Sequence, residues 1–369
     1  LLVATFSLTI LGTFLTRSGV LNSVHAFSES SIGSWFLGLF AVVLVVSIGL
    51  IGWRGDKLRS PGVIDSPLSR EAAFLANNVL FAVFAFVVLL GTVFPLIIEA
   101  LQNRQIAVGA PFFDKLSMPI GLALLTLMAI APVLPWRKAS TETLRQRLFW
   151  PAWCGVAALV ASLLLGAYGL APLLTFTLGG VSAGAAMRQV VLATRRQGWR
   201  GLVGRANGGM IVHLGVILIA VALGASNSFS KSQELSLVAN VEASFSGHTF
   251  ELKDVIEVRD DRSISVKALV LVDGKKIYAP AITKYTRIGM NVGTPSVRTS
   301  LTTDIYLTLE PPVRQDANEA RIKVFIKPMI IWLWIGTALM AVGTVLAAFP
   351  GRRRKPTDAT SAPVEVAAS

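Results

Sequence analysis

Histidine is the residue type of this chain best suited to bind a metal, and two of the three histidines lie at or inside apolar segments. His213 lies within "RANGGMIVHLGVILIAVALG", four residues after Gly209. An ionisable residue inside a membrane span is costly and therefore indicates function. Residues four apart share one helix face, so Gly209 leaves room beside His213 for a porphyrin ring or a neighbouring helix. A neutral His213 hydrogen-bonded to another helix is the alternative, and position alone does not separate the two.

The second histidine of interest, His25, lies in the polar loop of "TFLTRSGVLNSVHAF", just past the first apolar segment. One interpretation is a solvated histidine near interfacial aromatic residues. The other is an axial ligand for haem iron at the outer membrane surface, because neutral imidazole is a common haem ligand. In that case Phe27 would cover the macrocycle and Arg17 would pair with a propionate. The third histidine, His248, is predicted to be a turn or strand residue and is given no role.

Composition restricts the class of protein. The chain has 369 residues, of which 53% are hydrophobic and 15% charged, whereas soluble domains are about one quarter charged. Its single cysteine, Cys154, excludes a disulfide framework, and it has no CxxCH motif, so the chain is not itself a c-type cytochrome. Because the sequence begins inside an apolar run without a methionine, we expect a fragment or one half of a naturally split protein.

Eight apolar segments predict a polytopic helical membrane protein, the first of them truncated. A span needs about 20 apolar residues. The predicted spans are 1–16 (truncated), 34–53, 75–98, 117–136, 152–170, 172–192, 209–226 and 329–349. The break "GLAP" at 169–172 predicts a tight helical hairpin between the fifth and sixth segments.

A different pattern occupies residues 227–328, which are more polar and alternate in "HTFELKDVIEV" and "SISVKALVLV". The Asp273-Gly274 pair in "LVDGKKIY" predicts a tight β-hairpin. We therefore predict a transmembrane bundle over 1–226, a small all-β extracytoplasmic domain over 227–328, a last helix over 329–349 and a disordered cytoplasmic tail over 350–369.

The net charge of +13 is explained by membrane orientation. Lysines and arginines concentrate in alternate loops, at 54–73, 137–149, 193–207 and after 350. Such loops face the cytoplasm, which leaves the His25 loop and residues 227–328 on the periplasmic side. The charge is an orientation signal, so nucleic-acid binding is not expected. The chain has no P-loop, HExxH or GxSxG motif.

Several segments together resemble one known family, the CcmF/NrfE-type haem lyase subunits of bacterial cytochrome c maturation. The similar segments, in order along the chain, are "LGTFLTRSGVLNSVHAF", "SREAAFLANNVLF", "LLGTVFPLI", "IAVGAPFFDKLSMPIG", "GGMIVHLGV", "GMNVGTPSVRTSLTTDIYLTL" and "KPMIIWLWIGTALMAVG". The resemblance is to the C-terminal portion of the family and does not include its tryptophan-rich motif. It is shared with the paralogue that serves a nitrite-reductase cytochrome.

The resemblance implies different roles for the two histidines. His25 matches an outward-facing histidine that holds haem delivered by the chaperone CcmE, and His213 matches an intramembrane ligand of a permanent b-type haem (iron protoporphyrin IX). The second histidine of each pair lies upstream in the family. The implied reaction is thioether attachment of haem to the CxxCH of apocytochrome c.

The resemblance also implies partners and a location. The implied partners are CcmE, apocytochrome c, a thiol-handling CcmH-type subunit, the upstream part of the same protein and quinol. The implied location is the cytoplasmic (inner) membrane.

Two other functions are consistent with the residues alone. A non-catalytic assembly subunit would use the β domain to dock partners. A haem or solute transporter would need carboxylates near the bilayer midplane and an internal repeat, and the sequence shows neither feature. The catalytic groups are not assigned by either the residues or the resemblance.

Overall fold

Eight α-helices and ten β-strands make up the part of the chain that a computed structural model describes, residues 2–18, 32–58, 66–104, 106–135, 141–285, 291–311 and 318–349. His25, Phe27 and the predicted tail over 350–369 lie outside these residues. The chain divides into two compact units, with the main boundary after Gly121.

The first unit contains three complete helices and the start of a fourth. They are α1 (Leu2–Arg17), α2 (Ile32–Arg54), α3 (Arg70–Gln102) and α4 (Ala110–Ile130). The ends of α3 are fixed by caps that the sequence encodes. The Ser69 hydroxyl accepts a hydrogen bond from the backbone N–H of Ala72, and Asn103 at φ 50° donates its N–H to the Glu99 carbonyl. These contacts satisfy backbone groups that a helix end leaves unpaired.

The second unit holds the remaining helices, α5 (Thr141–Leu164), α6 (Leu170–Gln197), α7 (Arg205–Phe229) and α8 (Ile331–Ala348). The predicted hairpin between α5 and α6 is confirmed. Gly169 has φ 97° before α6 begins, a conformation that favours glycine. Pro172 lies in the first turn of α6, where its missing N–H removes no helical hydrogen bond.

Seven of the described helices are long and apolar enough to cross a membrane, and α1 is shorter at 16 residues. This confirms the predicted multi-pass fold with a short first segment. Helix bounds differ most from the predicted spans at two helix starts. Helix α4 begins at Ala110 and α5 at Thr141, several residues before the predicted starts at 117 and 152, because a helix continues beyond the part that is apolar enough to lie in lipid.

Ten antiparallel strands form the β domain between α7 and α8. They are β1 (Lys231–Val238), β2 (Glu242–Phe245), β3 (His248–Asp260), β4 (Ser263–Val272), β5 (Lys276–Tyr278), β6 (Ala281–Tyr285), β7 (Asn291–Thr294), β8 (Ser296–Thr299), β9 (Thr303–Leu309) and β10 (Glu319–Pro328). One sheet has the order β1-β10-β9-β8. The other has the order β2-β3-β4-β6-β7, with β5 paired to β4.

The domain core lies between apolar faces of the two sheets. Alternate residues are buried along much of β4, β9 and β10, as the period-2 pattern predicts. Phe250, Leu237, Leu307 and Ile322 are each 0% exposed and belong to this one cluster. The strands therefore account for the predicted all-β character of 227–328.

The Asp273-Gly274 pair forms the predicted hairpin turn. Both residues have positive φ, 52° and 61°, and the Lys275 N–H donates to the Val272 carbonyl at 3.1 Å. Two successive positive φ values characterise a type I′ turn. Asp273 also accepts from the Thr249 N–H, and its Oδ2 lies 2.8 Å from Nδ1 of His248. His248 is thus the first residue of β3, held at the turn.

The β domain is joined to its two helices almost without linker. Ser230 alone separates α7 from β1, and Met329 and Ile330 separate β10 from α8. Helices α7 and α8 pack side by side, and β1 pairs with β10 directly above them. The helix pair therefore continues as a strand pair.

Candidate functional site

The site centres on His213, the ninth residue of α7. The residue lies about 12 Å along the helix axis from its start, at about 1.5 Å per residue. Its side chain is half-buried, and Nδ1 is buried with no hydrogen-bond partner among the described residues. Leaving a buried nitrogen without a partner costs about 1–3 kcal/mol. That cost is a reason to expect an additional group against this face of α7.

Gly209 lies one turn before His213 on the same face. A Cβ built on Gly209 would have no atom of the described residues within 4 Å, so among these residues the backbone here borders open space. Immediately beside it, a Cβ on Gly208 would lie 2.4 Å from the Ala347 nitrogen. Two adjacent glycines therefore serve different purposes: Gly208 faces a neighbouring helix, and Gly209 leaves space beside His213.

A glycine seam between α7 and α8 fixes the position of α7. We define it as Gly208 and Gly215 of α7 with Gly336 and Gly343 of α8. A Cβ on Gly215 would lie 2.6 Å from the Gly336 carbonyl oxygen, and one on Gly343 would lie 2.9 Å from the Gly208 carbonyl oxygen. The helices run antiparallel, since the earlier residue of one meets the later residue of the other. Small residues allow this approach of the two backbones.

Helix α6 packs against the following turns of α7. A Cβ on Gly179 would lie 2.7 Å from Val221, and one on Gly224 would lie 2.9 Å from Thr175. Ile217, one turn beyond His213, is 4% exposed. Helix α7 is thus held on two sides, while the Gly209 position remains open.

Of the other predicted site residues, the structure describes only Arg17. It is the exposed last residue of α1, in the first unit. His25 and Phe27 lie outside the described residues, so their predicted roles at the outer surface stay predictions. His213 and Gly209 are the two predicted residues that lie together.

The residues present fit an axial haem ligand. A histidine with a buried, unpartnered ring nitrogen lies on a face where glycine leaves space for a flat ring. In a ligating histidine the second ring nitrogen usually donates to a further group. Sequence reasoning predicted room at Gly209 for a ring or a neighbouring helix without choosing between them, and it missed the glycine seam. Its signal was available: the glycines at 208 and 215, and at 336 and 343, are each seven residues apart.

Comparison with known proteins supports the resemblance. No family model matches the chain. The cytochrome c-type biogenesis protein CcmF of Pseudomonas aeruginosa is 31% identical over 365 residues, covering 96% of this chain and 55% of the relative. The cytochrome c-type biogenesis protein ccl1 of Rhodobacter capsulatus is 32% identical, covering 99% and 56%. A solved structure, "Cytochrome c Heme Lyase CcmF", matches with a TM-score of 0.73 at 28% identity, over 94% of this chain and 53% of that one.

Over the length compared, the chain is similar to CcmF proteins in sequence and to a solved CcmF structure in fold. It spans about half the length of the curated relatives it matches. The structural match, together with the described helices and strands, confirms the predicted fold class, a helical membrane protein with a β domain before its last helix. The names of the relatives connect the family with cytochrome c biogenesis and haem.

Proposed function

We propose that this chain is the haem-holding part of a cytochrome c haem lyase. His213 would hold a b-type haem within the membrane. His25 holds a second haem, the substrate that the chaperone CcmE delivers at the outer surface. The observation that carries the proposal is one face of α7: among the described residues the buried Nδ1 of His213 has no hydrogen-bond partner, and Gly209, one turn before it, has no neighbour within 4 Å of a built Cβ.

A haem held at His213 supplies one-electron chemistry, for which quinol is the expected donor. The role of the protein is to hold the His213 imidazole in a fixed position. The glycine seam and the contacts with α6 fix α7 on two sides, so the imidazole is held without loop flexibility. Because the site lies within an apolar span, it also excludes water, which strengthens every electrostatic interaction there.

The outer site acts on substrate. The thiols of an apocytochrome c CxxCH add across the two vinyl groups of the haem, each S–H bond giving a C–S and a C–H bond. His25 would hold the haem iron where a peptide reaches the vinyl edge. Arg17, at the outer end of α1, supplies a positive charge suited to a propionate. A CcmH-type subunit supplies reduced thiols, and the β domain faces the periplasm from the inner membrane.

The test is an absorption spectrum of the purified chain, coexpressed with the upstream part expected from the resemblance. The dithionite-reduced wild type should show a b-type haem spectrum that His213→Ala abolishes. His248→Ala is the matched control, since it removes a histidine that pairs with Asp273 in the β domain, and it should keep the spectrum. A colourless wild type, or equal loss in both variants, would contradict the assignment.

The two-site assignment has a separate test. His25→Ala should abolish transfer of haem from CcmE while the b-type spectrum is retained, and His213→Ala should remove the b-type spectrum while CcmE–haem is still captured. Transfer is measured by co-purification of haem-loaded CcmE. Parallel loss of both haems in each variant would show a single site.

A further inference from the structure

The turn between β8 and β9, residues Ser300–Thr302, is tied to the start of α8. The Met329 N–H donates to the Thr302 carbonyl at 3.0 Å, and Nε1 of Trp332 donates to the Leu301 carbonyl at 2.9 Å. Met329 has φ 60°, so the chain turns sharply there from strand into helix. Two hydrogen bonds thus fasten the β8–β9 turn to this corner.

This fastening sets the height of the turn relative to a bilayer. Helix α8 has 18 residues, which span about 27 Å at about 1.5 Å per residue. The hydrocarbon core is about 30 Å thick, so the whole of α8 is needed to cross it. The first turn of α8 therefore lies at the interface, and the Trp332 hydrogen bond places Leu301 at the same level.

Side chains around the turn have the chemistry of a membrane interface. Leu301 is 68% exposed and Trp334 is 70% exposed. Lys231 is the first residue of β1, one residue after the C-cap of α7. Lys327 is near the end of β10, four residues before α8 begins. Indole rings prefer the headgroup level, long basic side chains reach phosphates from there, and an exposed leucine gains by entering the acyl boundary.

We propose that the β8–β9 turn is a membrane-docking element. Leu301 inserts into the headgroup–acyl boundary of the leaflet from which the β domain emerges. Trp332 lies beside it, Trp334 lies at a similar level on another face of α8, and Lys231 contacts lipid phosphates. The β domain consequently has a third attachment to the membrane, besides its two helices. This inference is independent of the haem assignment.

Depth-dependent quenching of a fluorophore tests the proposal on the whole chain. In a Cys154→Ala background, Leu301→Cys carries an NBD label in phosphatidylcholine vesicles that contain lipids doxyl-labelled at a shallow or a deep acyl position. The matched control is Val241→Cys, 55% exposed. It lies past the far end of β1, which rises about 26 Å over its eight residues at about 3.3 Å per residue.

The expected result is strong quenching at position 301 by the shallow doxyl group, weaker quenching by the deep one, and none at position 241. Equal quenching at both positions would overturn the proposal, because it would mean that the label itself partitions into lipid. A blue-shifted emission at 301 without doxyl quenching would overturn it too, because a protein surface would then cover the turn.

Discussion

The glycine seam makes a quantitative prediction at two adjacent residues. In Gly208→Ala the new Cβ meets the Ala347 nitrogen at 2.4 Å, the Ala347 Cα at 2.7 Å and the Gly343 carbonyl oxygen at 2.7 Å. Real Cβ contacts seldom fall below 3.4 Å, so α7 and α8 must separate. Overpacking of this kind costs about 1–3 kcal/mol.

Gly209→Ala is the matched control, because its Cβ meets nothing within 4 Å. Both changes replace glycine by alanine in the interior of one helix, so both gain about 0.5–1 kcal/mol of helix propensity. The difference in unfolding free energy between the two variants therefore isolates the clash. We expect Gly208→Ala to be less stable than Gly209→Ala by about 1–3 kcal/mol.

The assay measures unfolding of the purified chain in detergent as SDS is added, and the midpoint of the SDS titration is compared between variants. Both variants are made in a His213→Ala background, so that haem binding does not contribute to their stability. Equal midpoints for Gly208→Ala and Gly209→Ala would refute the close approach of α7 and α8. A lower midpoint for Gly209→Ala would place a neighbour against the face that the structure shows as open.

Two further predictions concern the β domain. Phe250→Ala deletes a core ring that is 0% exposed and should lower the domain's unfolding free energy by about 3–5 kcal/mol, measured by hydrogen–deuterium exchange of its strands; unchanged exchange would contradict the core assignment. Burial alone would raise the pKa of Asp273, but hydrogen bonds from His248 and the Thr249 N–H lower it below its usual range. Stability from this carboxylate is therefore full above the unfolded-state pKa of about 4 and is lost as pH falls through the lower folded-state value. The free energies of unfolding that hydrogen exchange gives for wild type and Asp273→Asn should therefore converge as the pH falls below about 4. A difference that stays constant with pH would contradict a stabilising role of the ionised carboxylate.

Local features of the fold were predictable because single stretches of sequence encode them. The Asp273-Gly274 turn requires two positive φ values that this dipeptide adopts readily. Ser69 caps α3 through its own hydroxyl, and buried alternation along β10 follows from the pleat. Helix ends in polar sequence were predicted less well. Hydropathy reports the part of a helix that lies in lipid, whereas α5 begins eleven residues before its predicted span, at Thr141.

Pairing of distant segments was not predictable in the same way. The spacing of the seam glycines is visible in each helix, but the sequence does not say that Gly215 meets Gly336. The hydrogen bond from Trp332 to Leu301 joins residues 31 apart and depends on the fold of the intervening strands. At the site, the sequence predicted that Gly209 shares a face with His213, but not whether a helix covers that face, nor that the His213 Nδ1 has no described partner. That property depends on every neighbour at once.

The short junctions at Ser230 and at Met329–Ile330 have a mechanical consequence. A domain on flexible linkers can turn freely without disturbing its anchor, but here β1 follows α7 after one residue and the two strands pair as the two helices do. The two helices and the two strands are therefore expected to move together as one unit. A rotation of the β1–β10 strand pair would therefore displace α7 and α8 with it, and with α7 the backbone that carries His213.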